Sequence, residues 1–429
     1  MAQACELRRN RPRAAAAVLK PARALAHVAR NAALLLLLLA IGACGSLPRN
    51  AAPPQRTLQA AIPQMPDVRA WAGQPSESME RDLAQSFAQE SAQDFPRRDD
   101  GSVRYPHLAL SGGGASGAFG AGYLNGWSST GRRPVFKIVT GVSTGALMAP
   151  FAFIGADYDS ALRDFYTTTR SRDIFVVGSL VSKLWQLAAG EALADTRPLQ
   201  ALIERHVDEE LLRRVAQAHQ RGRRLYIGTT DIDVPRFVVW NMGLIAASGR
   251  PGALALFRQV MLASASIPVA FPPVFFEVEL EAGGPRYDEM HVDGGVGARV
   301  FVNGGVFRGS IVRERGGHGG IGHEDIFVIH NGQLIPIPEP ISRSLPAIAA
   351  RVIDASGRTA AIGDLFRIYS FAQSEGAGFQ WITIPDHVAM GGDEVFDPRE
   401  MQSLYDLGFG LATSGGGWYT RPPGRRTDP

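Results

Sequence analysis

Two glycine-framed segments and one aspartate carry the reactive side-chain types of this chain. Gly141-Val142-Ser143-Thr144-Gly145 follows Val135–Thr140, an apolar and β-branched run, and leads into a helical pattern from Ala146 to Ile154. A G-x-S-x-G segment between strand and helix is a sharp turn that presents its serine hydroxyl at the end of a sheet. Gly141 and Gly145 keep that elbow narrow, and the helix starting at the serine adds positive potential near its oxygen. The first glycine of a second turn, Gly112-Gly113-Gly114-Ala115-Ser116-Gly117, lies 31 residues before Ser143, again between a strand pattern (His107–Ser111) and a helical one (Ala118–Trp127). Its backbone N–H groups form an anion site.

The spacing of Gly112, Gly114 and Gly117 also fits a dinucleotide turn. Such a turn needs an acidic residue about 20 positions on to hold a ribose, and Thr130–Phe136 offers none. A serine nucleophile needs a base, and no histidine stands where a triad would want it. The strongest acidic motif is His291-Val292-Asp293-Gly294-Gly295. An aspartate serves as base when burial raises its proton affinity. His291 would share a strand face with Asp293 and is expected to be a structural or auxiliary group.

The elements that must hold these residues alternate. Strand patterns occur at Leu108, Ile138, Leu225–Ile232, Phe237–Trp240 and Ile326–His330. Helical patterns cover 158–167, 196–219, 252–264, 344–373 and 398–412. The alternation predicts an α/β fold, with a mainly parallel central sheet and helices on both faces. One catalytic domain is expected over 101–429, with the part after residue 300 completing it. Asp231 and Asp233 are expected to end a strand.

The chain resembles the patatin-like phospholipase family, in its bacterial lipoprotein form. Four segments carry the resemblance in order: Gly112-Gly113-Gly114-x-x-Gly117, Gly141-x-Ser143-x-Gly145, Ala263-Ser264-Ala265-Ser266-Ile267-Pro268-Val269-Ala270-Phe271-Pro272-Pro273, and Asp293-Gly294-Gly295. Asp195-Thr196-Arg197-Pro198-Leu199 is a weaker fifth, read as a helix start. The resemblance spans about 105–300. It implies a patatin-like serine hydrolase fold, a Ser143–Asp293 dyad, an oxyanion hole from Gly112, Gly113, Gly114 and Gly117, no metal or cofactor, and hydrolysis of phospholipid or other acyl-lipid esters through an acyl-enzyme. Ser264–Pro273 is expected to shape the acyl pocket. The chain departs from the family at Ser116, where a basic residue is usual, and after Asp293-Gly294-Gly295, where Val296–Val300 replaces an Asn-Pro pair. Acyl transfer by the same dyad, or a binding module without catalysis, are the competing functions.

Composition narrows the partners. The 429 residues are 45% hydrophobic and 20% charged, with a net charge of +3, as in ordinary globular chains. Residues 1–43 hold seven basic side chains against Glu6, so the remainder is near −3. No basic face for nucleic acid is expected there. His318, His323 and His330 lack metal-ligand spacing. The basic lead and the 12-residue apolar run Ala32–Ala43, too short to span a bilayer, read as a signal peptide over 1–43. Ile41-Gly42-Ala43-Cys44 resembles a lipobox. Cys5 and Cys44 are the only cysteines, so cleavage would leave Cys44 alone for lipidation. The expectation is an exported envelope lipoprotein, anchored to a membrane through Cys44, with a flexible tether over 44–100 that includes a helix around Met79–Ser91.

Overall fold

Short aliphatic runs form the sheet, and the helices between them range from the apolar, buried Gly117–Ser129 and Thr144–Ile154 to amphipathic ones such as Glu209–Gln220. In the computed structural model the elements are β1 (Arg69–Trp71), α1 (Glu77–Ala88), β2 (Val103–Leu110), α2 (Gly117–Ser129), β3 (Ile138–Val142), α3 (Thr144–Ile154), α4 (Asp159–Thr167) and α5 (Ser171–Ile174). Then come α6 (Arg197–His206), α7 (Glu209–Gln220), β4 (Arg224–Asp231), β5 (Arg236–Asn241), α8 (Met242–Ala247), α9 (Ala253–Ser264), β6 (Val274–Glu279) and β7 (Arg286–Asp293). The last are β8 (Gly322–His330), α10 (Leu345–Glu375), β9 (Gly378–Thr383) and α11 (Pro398–Thr413). The structure describes residues 30–31, 49–54, 60–176, 192, 194–307, 322–336, 338, 340–392 and 394–424. Apart from Arg30 and Asn31, these belong to one unit, Arg49–Gly178 with Ala192–Pro429.

The sheet runs β1-β5-β4-β3-β2-β8-β9. From β4 to β9 the neighbours are parallel, whereas β1, β5 and β4 pair antiparallel. The β6–β7 hairpin joins through β7, antiparallel to β4. The fold is therefore α/β with a mostly parallel, mixed sheet. Strand side chains alternate between two cores, as the period of two requires. Leu108, Val139, Ile227, Trp240 and Ile329 pack with α2, α3, α7, α9 and α11. On the other face Tyr105, Ile138 and Tyr226 meet α1, and Ile326 and Val328 meet the second half of α10. Helices cover both faces, as expected.

One detail of register builds the site. A single edge of β4 serves two partners. Arg224–Gly228 pairs with Ile138–Val142 of β3, and Thr229–Asp231 pairs with Asp293–His291 of β7. Strand β3 stops opposite Gly228 and β7 stops opposite Thr229. The residue leaving β3, Ser143, thus comes head-on to the last residue of β7, Asp293.

Three expectations need correction. The stretch expected as a tether folds into the domain from Ala60 onward. Strand β1 pairs with β5, and α1, capped by Ser76, buries Met79, Leu83 and Phe87. Its apolar residues are too widely spaced to show a period before α1. The helix expected over 196–219 is two, because Val207 leaves helical geometry and the Asp208 side chain accepts from Leu211 N to start α7. Strands β1, β6 and β9 were not expected as elements, and of β7 only its end at His291–Asp293 was. Charged residues interrupt β6 and β7, and β1 has only three residues. Residues 1–29 and 32–48, which hold most of the expected signal peptide and Cys44, lie outside the described residues. Among the described residues no helix is long and apolar enough to cross a membrane.

Candidate active site

Ser143 stands between β3 and α3 with φ 54° and ψ −125°. A positive φ is sparsely populated for a residue with a Cβ and holds about 1–3 kcal/mol of strain. The turn is this tight because Gly145 packs on β2: a Cβ there would lie 2.2 Å from Leu110 O. Ser143 N donates to Ser264 Oγ at 3.0 Å, and Ser264 Oγ donates on to Gly228 O at 2.6 Å. The elbow is thereby tied to α9 and β4. The N-terminus of α3 begins at the next residue, Thr144.

Ser143 Oγ donates to Asp293 Oδ2 at 2.6 Å. Both residues are buried, with 5% and 4% of their surface exposed. Gly295 N donates to the other carboxylate oxygen, Oδ1, at 2.7 Å. Asp293 N donates to Ser266 O at 2.8 Å. Burial pushes the Asp293 carboxyl up to about 6; the bonds from Ser143 and Gly295 and the charge of Arg299 oppose that rise. A hydroxyl in contact with a desolvated carboxylate of raised proton affinity has the makings of a nucleophile with its base.

The glycine turn lies over the serine. A Cβ on Gly112 would stand 3.1 Å from Ser143 Cβ. The four glycines expected to form the oxyanion hole separate here. Gly112 N donates to Arg299 O at 3.1 Å, and Gly117 N closes its own turn onto Gly114 O and Ala115 O. Gly117 instead makes room for Thr144 and Tyr166. Gly113 and Gly114 remain, and among the described residues no carbonyl accepts from either N–H. The turn is held by Asn331, just after β8. Its N donates to Ser111 Oγ at 2.8 Å and its Nδ2 to Ser111 O at 2.9 Å.

Two concavities flank this turn. A narrow apolar slot contains Ser143 and Gly114, with Leu147, Ile267, Phe271 and Met401 among its walls. On the other side lies a polar cavity of about 490 Å³, lined by Gly113, Ser116, Arg299 and Asn331 together with residues of α10. Ser264–Pro273 contributes Ala265, Ile267 and Phe271 to the slot.

The other residues singled out by sequence have structural partners. His291 is held by its own partners: its Nδ1 lies 2.8 Å from Thr229 Oγ1 and its Nε2 3.3 Å from Glu289 Oε2. Asp231, Glu289 and His291 are the one group of metal-ligand types close together among the described residues. Arg69 is ion-paired to Glu289 within that group, so a cation already stands there. Asp231 ends β4 and caps the turn by accepting from Asp233 N at 3.0 Å. Asp233 pairs with Arg49. Asp195 accepts from Arg197 N at 2.9 Å at the start of α6. His323 and His330 sit on β8, and His318 and Cys44 lie outside the described residues. Sequence reasoning missed Asn331 and the placing of Arg299. The available signal for Asn331 was its position at the carboxyl end of a parallel strand, where α/β proteins gather functional groups.

The family model described as patatin-like phospholipase matches residues 108–304, which include both glycine segments, Ser143 and Asp293. No curated protein matches the chain. Among solved structures, VipD from Legionella pneumophila is 11% identical, with 75% of this chain and 69% of that chain covered and a TM-score of 0.31. The type III effector protein ExoU is 12% identical, with 76% and 57% covered and a TM-score of 0.28. On the family model, residues 108–304 of this chain form a patatin-like phospholipase domain.

Proposed function

We propose that the protein hydrolyses acyl esters of phospholipids, as a phospholipase A or lysophospholipase, through a Ser143–Asp293 dyad and an acyl-enzyme. The observation that carries this is the 2.6 Å bond from Ser143 Oγ to Asp293 Oδ2 inside a buried site. Ser143 Oγ attacks the ester carbonyl carbon while Asp293 takes the hydroxyl proton. The carbonyl oxygen, now an oxyanion, accepts from the N–H groups of Gly113 and Gly114. One such donor contributes roughly 10²–10³ in rate. Collapse expels the alcohol, which leaves with the proton from Asp293. Water then attacks the acyl-enzyme with Asp293 again as base, and the fatty acid leaves. The walls of the slot beside Ser143 are apolar, as an acyl chain requires, and its room of about 30 Å³ has to widen to admit one.

The test is fluorophosphonate labelling of wild type and Ser143→Ala, together with fatty-acid release from phospholipid vesicles. Both signals are expected in wild type and neither in Ser143→Ala. A folded wild type that takes no label overturns the proposal. Added alcohol acceptors separate hydrolysis from acyl transfer, because a transferase turns fatty-acid release into ester formation.

We also propose that the protein is exported and held on a membrane by lipid at Cys44. This rests on the apolar run and Ile41-Gly42-Ala43-Cys44. Metabolic labelling with a fatty-acid analogue should mark the wild type and not Cys44→Ala; equal marking of the two would refute it.

A further inference from the structure

Arg299, in the turn after β7, takes no part in the hydrolysis derived above. Among the described residues its guanidinium forms no ion pair: Nη2 donates to Ile353 O at 3.4 Å, and Nε is buried without a hydrogen bond. Its backbone is held more firmly. Arg299 N donates to Asp364 Oδ2 at 2.7 Å, and Arg299 O accepts from Gly112 N at 3.1 Å. A half-buried guanidinium that lacks a carboxylate forgoes the partners it would have in water. Its position therefore calls for a reason beyond its own contacts.

Two glycines seat the side chain. A Cβ on Gly357 of α10 would stand 1.6 Å from Nη2, and one on Gly295 would stand 3.2 Å from Nη1. The same Cβ on Gly295 would stand 2.9 Å from Asp293 Oδ1. The guanidinium and the catalytic carboxylate thus border one glycine. Arg299 is also the charged side chain that opposes the rise of the Asp293 carboxyl. The other charges around the turn are engaged: Asp364 with Arg367, Asp354 with Arg351 and Arg358, and His291 with Glu289. Burial, with Arg299 and Arg358 close by, holds the His330 imidazole down at about 4, so it is neutral near pH 7. Arg299 lines the polar cavity together with Gly112 and Gly113. Attack on an ester moves one negative charge from Asp293 to the carbonyl oxygen at Gly113 and Gly114. A cation fixed beside both places favours the carboxylate before the step and the oxyanion after it, without reorganisation.

We propose that Arg299 is a positioning residue of this site: its guanidinium, seated by Gly295 and Gly357, is the countercharge shared by the Asp293 carboxylate and the oxyanion, while its carbonyl fixes the glycine turn. The proposal rests on the Ser143–Asp293 reading and adds a third residue to it. Every side-chain variant keeps the carbonyl that holds Gly112, so such variants report on the charge.

The experiment follows hydrolysis of p-nitrophenyl butyrate, a short neutral ester, by the full chain as a function of pH. The midpoint of kcat/KM reports the base of the free enzyme. Arg299→Met removes the charge, which favours the protonated carboxyl, so the midpoint should move up by about one unit. Its kcat above the midpoint should fall by about tenfold, with KM changed by less than about twofold. Arg299→Lys keeps the charge and should hold the midpoint near that of wild type. Gly357→Ala leaves Arg299 intact but pushes the guanidinium from its seat, while alanine favours the helix. It should move the midpoint in the same direction as Arg299→Met, and it carries the test if Arg299→Met does not fold. A midpoint unmoved in Arg299→Met and Gly357→Ala would overturn the role of the charge. So would equal shifts in Arg299→Lys and Arg299→Met, or a loss that lies wholly in KM. A wild type that takes up fluorophosphonate, with variants that behave like it, overturns this inference alone. A wild type that takes no label overturns the dyad beneath it.

Discussion

Replacing Asp293 by asparagine should abolish turnover and make the protein more stable at neutral pH. The carboxyl is pushed from an ordinary 3.8 up to about 6, burial being the largest cause. In the unfolded chain it returns to its ordinary value. Between those two pH values the folded state binds the proton and the unfolded state does not. This contribution to stability is therefore full below about pH 4 and is lost as pH rises through about 6. A shift of about two units at 1.36 kcal/mol each gives a penalty of about 3 kcal/mol for holding the carboxylate ionised in the fold. Asparagine carries no charge to desolvate. Its carbonyl can accept from Gly295 N where Oδ1 does now, and its amide can meet Ser143 Oγ. Urea unfolding near pH 8 should show Asp293→Asn more stable than wild type by up to about 3 kcal/mol, and the difference should shrink to nearly zero around pH 4. Equal midpoints at both pH values would refute the account of Asp293 as a desolvated base. A difference that grew on acidification would give the coupling the opposite sign.

The same titration should govern catalysis: kcat/KM on a soluble ester should rise with pH through about 6 and then level off, and a rate falling over that range would exclude Asp293 as the base. Gly145→Ala should unfold the elbow or lower stability by several kcal/mol, since its Cβ would stand 2.2 Å from Leu110 O; wild-type thermal stability would refute the close approach. Asn331→Ala removes the side-chain bond that fixes Ser111 and should lower kcat by about tenfold with little change in KM. Proportionate changes in both parameters would point to substrate binding instead. Leu147→Trp narrows the apolar slot and should shift preference toward short acyl chains, with no change in fluorophosphonate labelling; an unaltered chain-length profile would exclude the slot as the acyl site.

The site was legible because its chemistry is concentrated in short segments. Gly141–Gly145 and Gly112–Gly117 each sit between an apolar run and a helical pattern, and local rules cover such turns. Asp293 was legible from the glycines after it, although nothing local tells that it meets Ser143. That meeting depends on the register of β4, and strand register is a property of pairing across the whole sheet. The four glycines expected to form an oxyanion hole divided for a related reason. Which N–H is free depends on Arg299 O and on the turn geometry at Gly117, and spacing says nothing about either. In the fold, Leu108, Ile138 and Ile326 announced buried parallel strands, whereas β6 and β7 carry charged residues on a partly exposed hairpin and gave no clear period. The segment before residue 101 looked like a linker because a three-residue strand and one helix hold too few apolar residues to reveal a pattern.

The two strands that share one edge of β4 also decide when this protein can act. The proposed nucleophile and base, Ser143 and Asp293, lie 150 residues apart and come together only after β4 has accepted β3 on one stretch and β7 on the next. A chain still lacking β7 would hold a formed elbow with no base, and contacts of such long sequence separation close late in folding. A partly built chain would therefore be inert toward the lipids of the cell making it. Hydrolytic activity and global structure should likewise disappear together in denaturant, which makes turnover itself a reporter of the intact sheet.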